Sequence, residues 1–201
     1  MQAVKDNFLK KSILQSYNII TVCDMMFEKF DALIDEDDKI SKDDLMIVLK
    51  EELSDVSVFD LMIISAEIIE NNKYVQESYQ EKSKKIYIDF FLNRVKEIRS
   101  NDTVYNDYFD RDCFVEKLNQ LKDIYKHSSL DRKNKSPIIN LVVSLYTTFV
   151  LDEPIHPIGT PFPGSLEVIM ENGVYYCPVK EANMDTPNSV CRLCIAEQLD
   201  F

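Results

Sequence analysis

Pro137-Ile-Ile-Asn-Leu-Val-Val-Ser-Leu-Tyr-Thr-Thr-Phe-Val-Leu151 is the stretch on which the architecture turns. It is the longest apolar-rich run, yet it carries Asn140, Ser144, Thr147 and Thr148. A bilayer span needs about 20 predominantly apolar residues, so this run predicts a buried core helix and no membrane crossing. Pro137, directly after Ser136, suits a first helical turn, where its missing N–H costs little. The helix should run from Ile138 to about Val150.

The composition changes just beyond it. All three glycines and six of the seven prolines lie between Pro154 and Pro187. Residues 1–152 therefore hold no breaker in a helix interior and predict a helical body, with residues 153–201 as an irregular tail packed on it. The fold class expected is mainly α: a single helical domain of five to seven helices, a C-terminal tail with one short β-hairpin, and a metal knot.

Apolar spacing places the helices of the body. Leu9, Ile13, Tyr17, Ile20, Phe27, Phe30 and Ile34 recur at helical steps, as one helix or as two with a break near Thr21. A second helix begins at Ser41, with Asp44 as a capping partner, and buries Leu45, Val48, Leu49 and Leu53. Ser57 caps a third, apolar nearly all round through Phe59, Leu61, Met62, Ile63, Ile64, Ala66, Ile68 and Ile69; that helix should be central. Longer amphipathic stretches follow from about Gln76 to Arg99 and from about Asp110 to His127. In the tail, Glu171-Asn-Gly173 signals a turn between Leu166–Met170 and Val174–Cys177, a hairpin.

Charge narrows the function. With 23 basic against 35 acidic residues the net charge is −12. Such a surface repels phosphate backbones and anionic lipid, so neither a nucleic acid nor a membrane is an expected partner. Met1-Gln-Ala-Val-Lys-Asp6 lacks the pattern of a signal peptide, and five cysteines without a secretory context predict a cytoplasmic protein without a disulfide framework.

The cysteines of the tail form the candidate site. Cys191-Arg-Leu-Cys194 is a C-x2-C pair, Cys177 precedes it by 14 positions, and His156 lies 21 positions earlier. A tight turn can aim two sulfurs at one ion about 2.3 Å away, and three thiolates with one imidazole complete a tetrahedral Cys3His shell. A metal also ties down a loop-rich segment poor in apolar residues. Zinc is the expected occupant, with an iron–sulfur cluster as the alternative, although the closely repeated cysteine run of ferredoxins is missing. Glu197, Asp185 or water could replace His156 as fourth ligand. The deaminase signature fails at Pro157, Ile158 and Val190.

Other motifs carry less. Asp35-Glu-Asp-Asp-Lys-Ile-Ser-Lys-Asp-Asp44 invites an EF-hand reading, but aligning Ile40 to the eighth loop position puts Leu33 first and Asp38 at the glycine, so an acidic solvated loop is expected. His127 suits a helix C-terminus. Cys23 and Cys113 are expected to pack against apolar faces. Lys82, Lys84 and Lys85 form a solvated face beside Glu77 and Glu81. Phosphate-cradling glycine loops and a G-x-S-x-G elbow are missing.

Within the tail, His156-Pro-x-Gly159, Pro161-Phe-Pro-Gly164, Gly173-Val-Tyr-Tyr-Cys-Pro-Val-Lys180, Pro187-Asn188, Cys191-x-x-Cys194 and Ala196-Glu-Gln198 resemble a family of methanogenic archaea, domain of unknown function 2115. Val58-Phe-Asp-Leu-Met62 and the helix ending near Arg99 are similar too, so the resemblance covers about residues 42–201. It implies an archaeal, strictly anaerobic cytosol and no particular reaction; that setting favours clusters more than an aerobic one would. Two function classes follow from the residues. One is a non-enzymatic module whose metal-bound tail faces a protein partner. The other is a metal-dependent enzyme that keeps one coordination position open. The first is preferred because no general base is recognisable near the cysteines.

Overall fold

The computed structural model describes residues 24–34, 39–71, 77–126, 134–185 and 190–200. The expected helix through Leu9–Ile20, the acids Asp35–Asp38, Cys23 and His127 lie outside the described residues. Helix α1 covers residues 24–31 and is followed by β1 (Lys39–Ser41) and α2 (Lys42–Ser54). Then come α3 (Val58–Asn71), α4 (Glu77–Ser100), β2 (Tyr108–Asp110), α5 (Arg111–Lys126) and α6 (Ser136–Leu145).

Local chemistry sets these starts. Ser41 Oγ accepts from the backbone N–H of Asp43 and Asp44 at 3.2 and 3.4 Å, capping α2. Ser57 Oγ accepts from Asp60 N at 3.3 Å while the Asp60 carboxylate accepts from Ser57 N at 2.7 Å, a reciprocal capping box. Asp110 caps α5 by accepting from Cys113 N at 2.6 Å. At the opposite pole, Arg99 donates to the carbonyls of Leu53 and Val56 and so closes the end of α2.

The stretch after Ser136 is the buried core helix expected, and it takes the central place. Ile139, Leu141, Val142 and Leu145 are at most 1% exposed, surrounded by Phe27 and Phe30 of α1, Leu45, Leu49 and Leu53 of α2, Val95 and Ile98 of α4, and Phe114, Leu118 and Leu121 of α5. The expected α-helix to Val150 widens instead into a π-helical segment, Tyr146–Val150, closed by a Leu151 N–H donating to Tyr146 O at 3.1 Å. All five residues of that segment are buried. Its end is held by Lys42, whose Nζ donates to Val150 O at 3.2 Å and pairs with Asp152 at 2.8 Å.

Helix α3 is not central. Only Ile64 of its apolar residues is fully buried, and Val58, Phe59, Met62, Ile63 and Ile69 are exposed. A helix apolar on all sides can be surrounded only where neighbours exist on all sides; α6 occupies that place, and α3 packs one face on α4 and α6.

The hairpin forms as expected. β5 (Ile169–Glu171) pairs antiparallel with β6 (Val174–Cys177) around Asn172 and Gly173, both at positive φ (52° and 82°), the geometry of a type I′ turn. It is not the only β-structure, which corrects the expectation. β1 and β2 pair antiparallel with Ile40 opposite Phe109, β3 (Pro161–Phe162) pairs with β4 (Leu166–Glu167), and β7 (Glu197–Gln198) adds parallel to β6. Between β6 and β7 lies the short helix α7 (Lys180–Met184). Among the described residues, no helix is long and apolar enough to cross a membrane.

Candidate metal centre

The parallel β6–β7 pair brings distant cysteines together. Cys177 ends β6, and its carbonyl accepts from Leu199 N at 3.0 Å just beyond β7. The turn before β7 is tight: Leu193 N donates to Val190 O at 3.0 Å and Cys194 N to Cys191 O at 3.2 Å. That turn is anchored to α5 by Lys117, whose Nζ donates to the carbonyls of Arg192 and Leu193 at 3.0 and 3.2 Å. Cys177 and Cys194 share a small second core with Val168 and Ala196.

His156 reaches the same place from another direction. Its ring stands edge-on between Tyr87 of α4 (centroids 5.3 Å, 85°) and Phe162 of β3 (5.9 Å, 87°). His156, Cys177, Cys191 and Cys194 then line one cavity of about 10 Å³, with Ile155, Lys180 and Val190 completing the wall. That is about the room of one water molecule. All four residues singled out from the sequence are brought to this cavity. Among the described residues, however, no three His, Cys, Asp or Glu side chains stand as a group able to hold an ion. The four share a wall without meeting at a point.

Electrostatics follow from enclosure. Burial pushes the His156 imidazole down to about 4, so it is neutral at pH 7 and able to act as a ligand. Burial also raises the Cys177 thiol, and the neighbouring Cys194 and Cys191 add to the rise; the Val179 N–H and the Lys180 ammonium oppose it. The Tyr87 phenol is raised by burial and by the three cysteines beside it. Cys113, Cys177, Cys191 and Cys194 are in no disulfide, and Cys113 is exposed on α5 and not packed against an apolar face as expected.

Two residues at the site escape a sequence reading. Lys180 donates to the carbonyls of Cys194 (2.9 Å) and Ala196, bridging the two cysteine segments. Only its place three residues after Cys177 hints at this. Tyr87 lies on α4, some 70 positions before the nearest tail residue it touches, and nothing in the local sequence marks it.

A helical body joined to a cysteine-bearing β tail is the class of protein that this architecture defines. Residues 41–199 match a family described as an uncharacterized protein conserved in archaea (DUF2115), and the chain belongs to that family. A UPF0305 protein of Methanothermobacter thermautotrophicus is 31% identical over 154 residues, covering 77% of this chain and 94% of the relative. A second UPF0305 protein of that organism is 35% identical over 156 residues, covering 78% and 95%. One from Methanocaldococcus jannaschii is 29% identical over 156 residues, covering 76% and 93%. No solved structure matches the chain.

Proposed function

We propose that the chain binds a single zinc ion through Cys177, Cys191, Cys194 and His156, and serves as a cytoplasmic, non-enzymatic module for a protein partner. The observation carrying this is that four residues from three separate stretches line one ion-sized cavity. Three thiolates and a neutral imidazole are a structural zinc donor set. Binding has to draw these groups onto the ion, and that convergence couples metal to the order of the tail. The cavity size also supports one ion over a cluster, because even a two-iron centre needs room for two irons and two sulfides.

Metal analysis of protein purified without chelator tests the reading. One zinc per chain and colourless protein are expected. Cys191→Ser should release most of the metal, and Cys113→Ser should leave it bound. Brown protein absorbing near about 400 nm would assign a cluster to the site. Wild-type protein without stoichiometric metal would reduce the cysteines to ordinary thiols.

A further inference from the structure

Helix α3 turns an apolar face outward. Ile64 is buried, and Leu61 and Ile68 pack against the core beside it. On the other side Val58, Phe59, Met62, Ile63 and Ile69 are 71%, 76%, 62%, 46% and 46% exposed, and Ala66 is exposed between them. Residues three and four apart share one side of a helix, so these form two adjacent rows. From Val58 to Ile69 the strip is about 17 Å long at about 1.5 Å per residue. A contiguous apolar strip of this kind marks an interaction surface. It is separate from the cysteine cavity, to which α3 contributes no residue.

We propose that the strip receives an amphipathic helix from a partner protein, apolar on its inner side and basic along its edge. Charge is the first argument. Helix α3 carries Asp60, Glu67 and Glu70 and no base. Asp60 and Glu67 stand about two helical turns apart and so border the strip on one flank. Asn134 Nδ2 donates to Glu67 Oε1 at 3.0 Å, which leaves the carboxylate its charge, and Lys135 Nζ donates to Asp55 O ahead of the helix. A guest helix with Lys or Arg along that edge complements the flank, and the net charge of −12 draws it in.

The same acids disfavour a second copy of this chain. Each lies two positions inside an end of the strip, Asp60 after Val58 and Glu67 before Ile69. Two strips packed antiparallel about a two-fold axis would set Asp60 of each copy beside Glu67 of the other, like charge against like. Area points the same way. A strip about 17 Å long and about one helix wide offers roughly 200–400 Å², while a stable dimer buries about 800 Å² per subunit. A single helix with apolar anchors at i, i+3, i+4 and i+7 fits it.

A labelled synthetic peptide of Leu and Lys, about 18 residues long with leucine at helical spacing, is the probe. A Leu/Glu peptide of the same pattern is its counterpart. Fluorescence anisotropy with the full chain at about 0.15 M salt should show saturable binding of the Leu/Lys peptide. The Leu/Glu peptide should bind at least about tenfold more weakly. Met62→Asp, at an exposed position, should weaken the Leu/Lys peptide at least about tenfold although it adds an acid. Glu67→Lys combined with Glu70→Lys should reverse the preference between the two peptides. Val104→Asp, which changes an exposed apolar residue outside α3, should leave binding unchanged. Failure to bind the Leu/Lys peptide saturably would overturn the proposal. Equal affinity for wild type and Met62→Asp would do the same, since it would show attraction to an acidic surface alone. So would a wild-type dimer, seen by light scattering, that Met62→Asp converts to monomer; a second copy would then occupy the strip.

Discussion

Ser57 and Asp60 satisfy each other at the start of α3, and the pair is sensitive to pH. The Asp60 carboxyl is held below its usual 3.8 first by the Ser57 hydroxyl, then by the Ser57 N–H. The unfolded chain thus takes up this proton at higher pH than the folded one. The stabilisation from Asp60 is full above the ordinary value and is lost as pH falls through the depressed one. Asp60→Asn should therefore lower the urea midpoint at pH 6, and the gap from wild type should close by about pH 2. A constant gap across that range would mean that the carboxylate charge is irrelevant to the cap. Asp60 is solvent-exposed, so the effect should be small and should shrink in high salt.

At the scale of elements, β1–β2 joins two helix–loop–helix units, α1 with α2 and α4 with α5, by pairing Ile40 with Phe109. Reading both loops in EF-hand register puts Ile40 and Phe109 at the eighth position. The first loop then has Leu33 first and Asp38 at the glycine, and the second has Val104 third and Cys113 twelfth, where calcium needs a bidentate Glu. Two nearby acids are engaged elsewhere: Asp43 accepts from Tyr105 N at 2.6 Å and Asp110 caps α5. Calorimetric titration should show no saturable calcium binding below about 0.1 mM. A micromolar isotherm would show that another set of oxygens closes on the ion.

The same elements show what could be read from sequence. Caps at Ser41 and Ser57, the hairpin at Asn172-Gly173 and the buried helix after Ser136 are local signals, and each is found where expected. The cavity residues were legible because C-x2-C, Cys177 and His156 are chemically distinctive. Four features were not. The outward face of α3 depends on which of two apolar helices takes the centre, and periodicity cannot rank them. The π-helical turn and the parallel β6–β7 pair are settled by packing over long separations. Tyr87 joins the site only through that packing.

At the scale of the whole molecule, the tail contributes to the core of the helical body. Leu193, in the turn between the two cysteines, is 2% exposed and belongs to the main core with the helices of the body. Ile155 and Val190 pack against that core as well, and Arg94 of α4 pairs with Glu153. Body and tail should therefore unfold as one cooperative unit, and a defect in the tail should be felt by the helices. Leu193→Ala removes a side chain that the turn between the cysteines buries in the main core. It should cost about 2–5 kcal/mol of stability, read from urea denaturation. Far-ultraviolet circular dichroism follows the helices, and a Trp in place of Tyr176 in β6 would follow the tail, since the chain has no other tryptophan. Coincident transitions, both shifted by Leu193→Ala, are expected. If the tail signal moves to lower urea while the helical transition stays at its wild-type midpoint, the buried leucine only anchors the tail and the two parts fold separately.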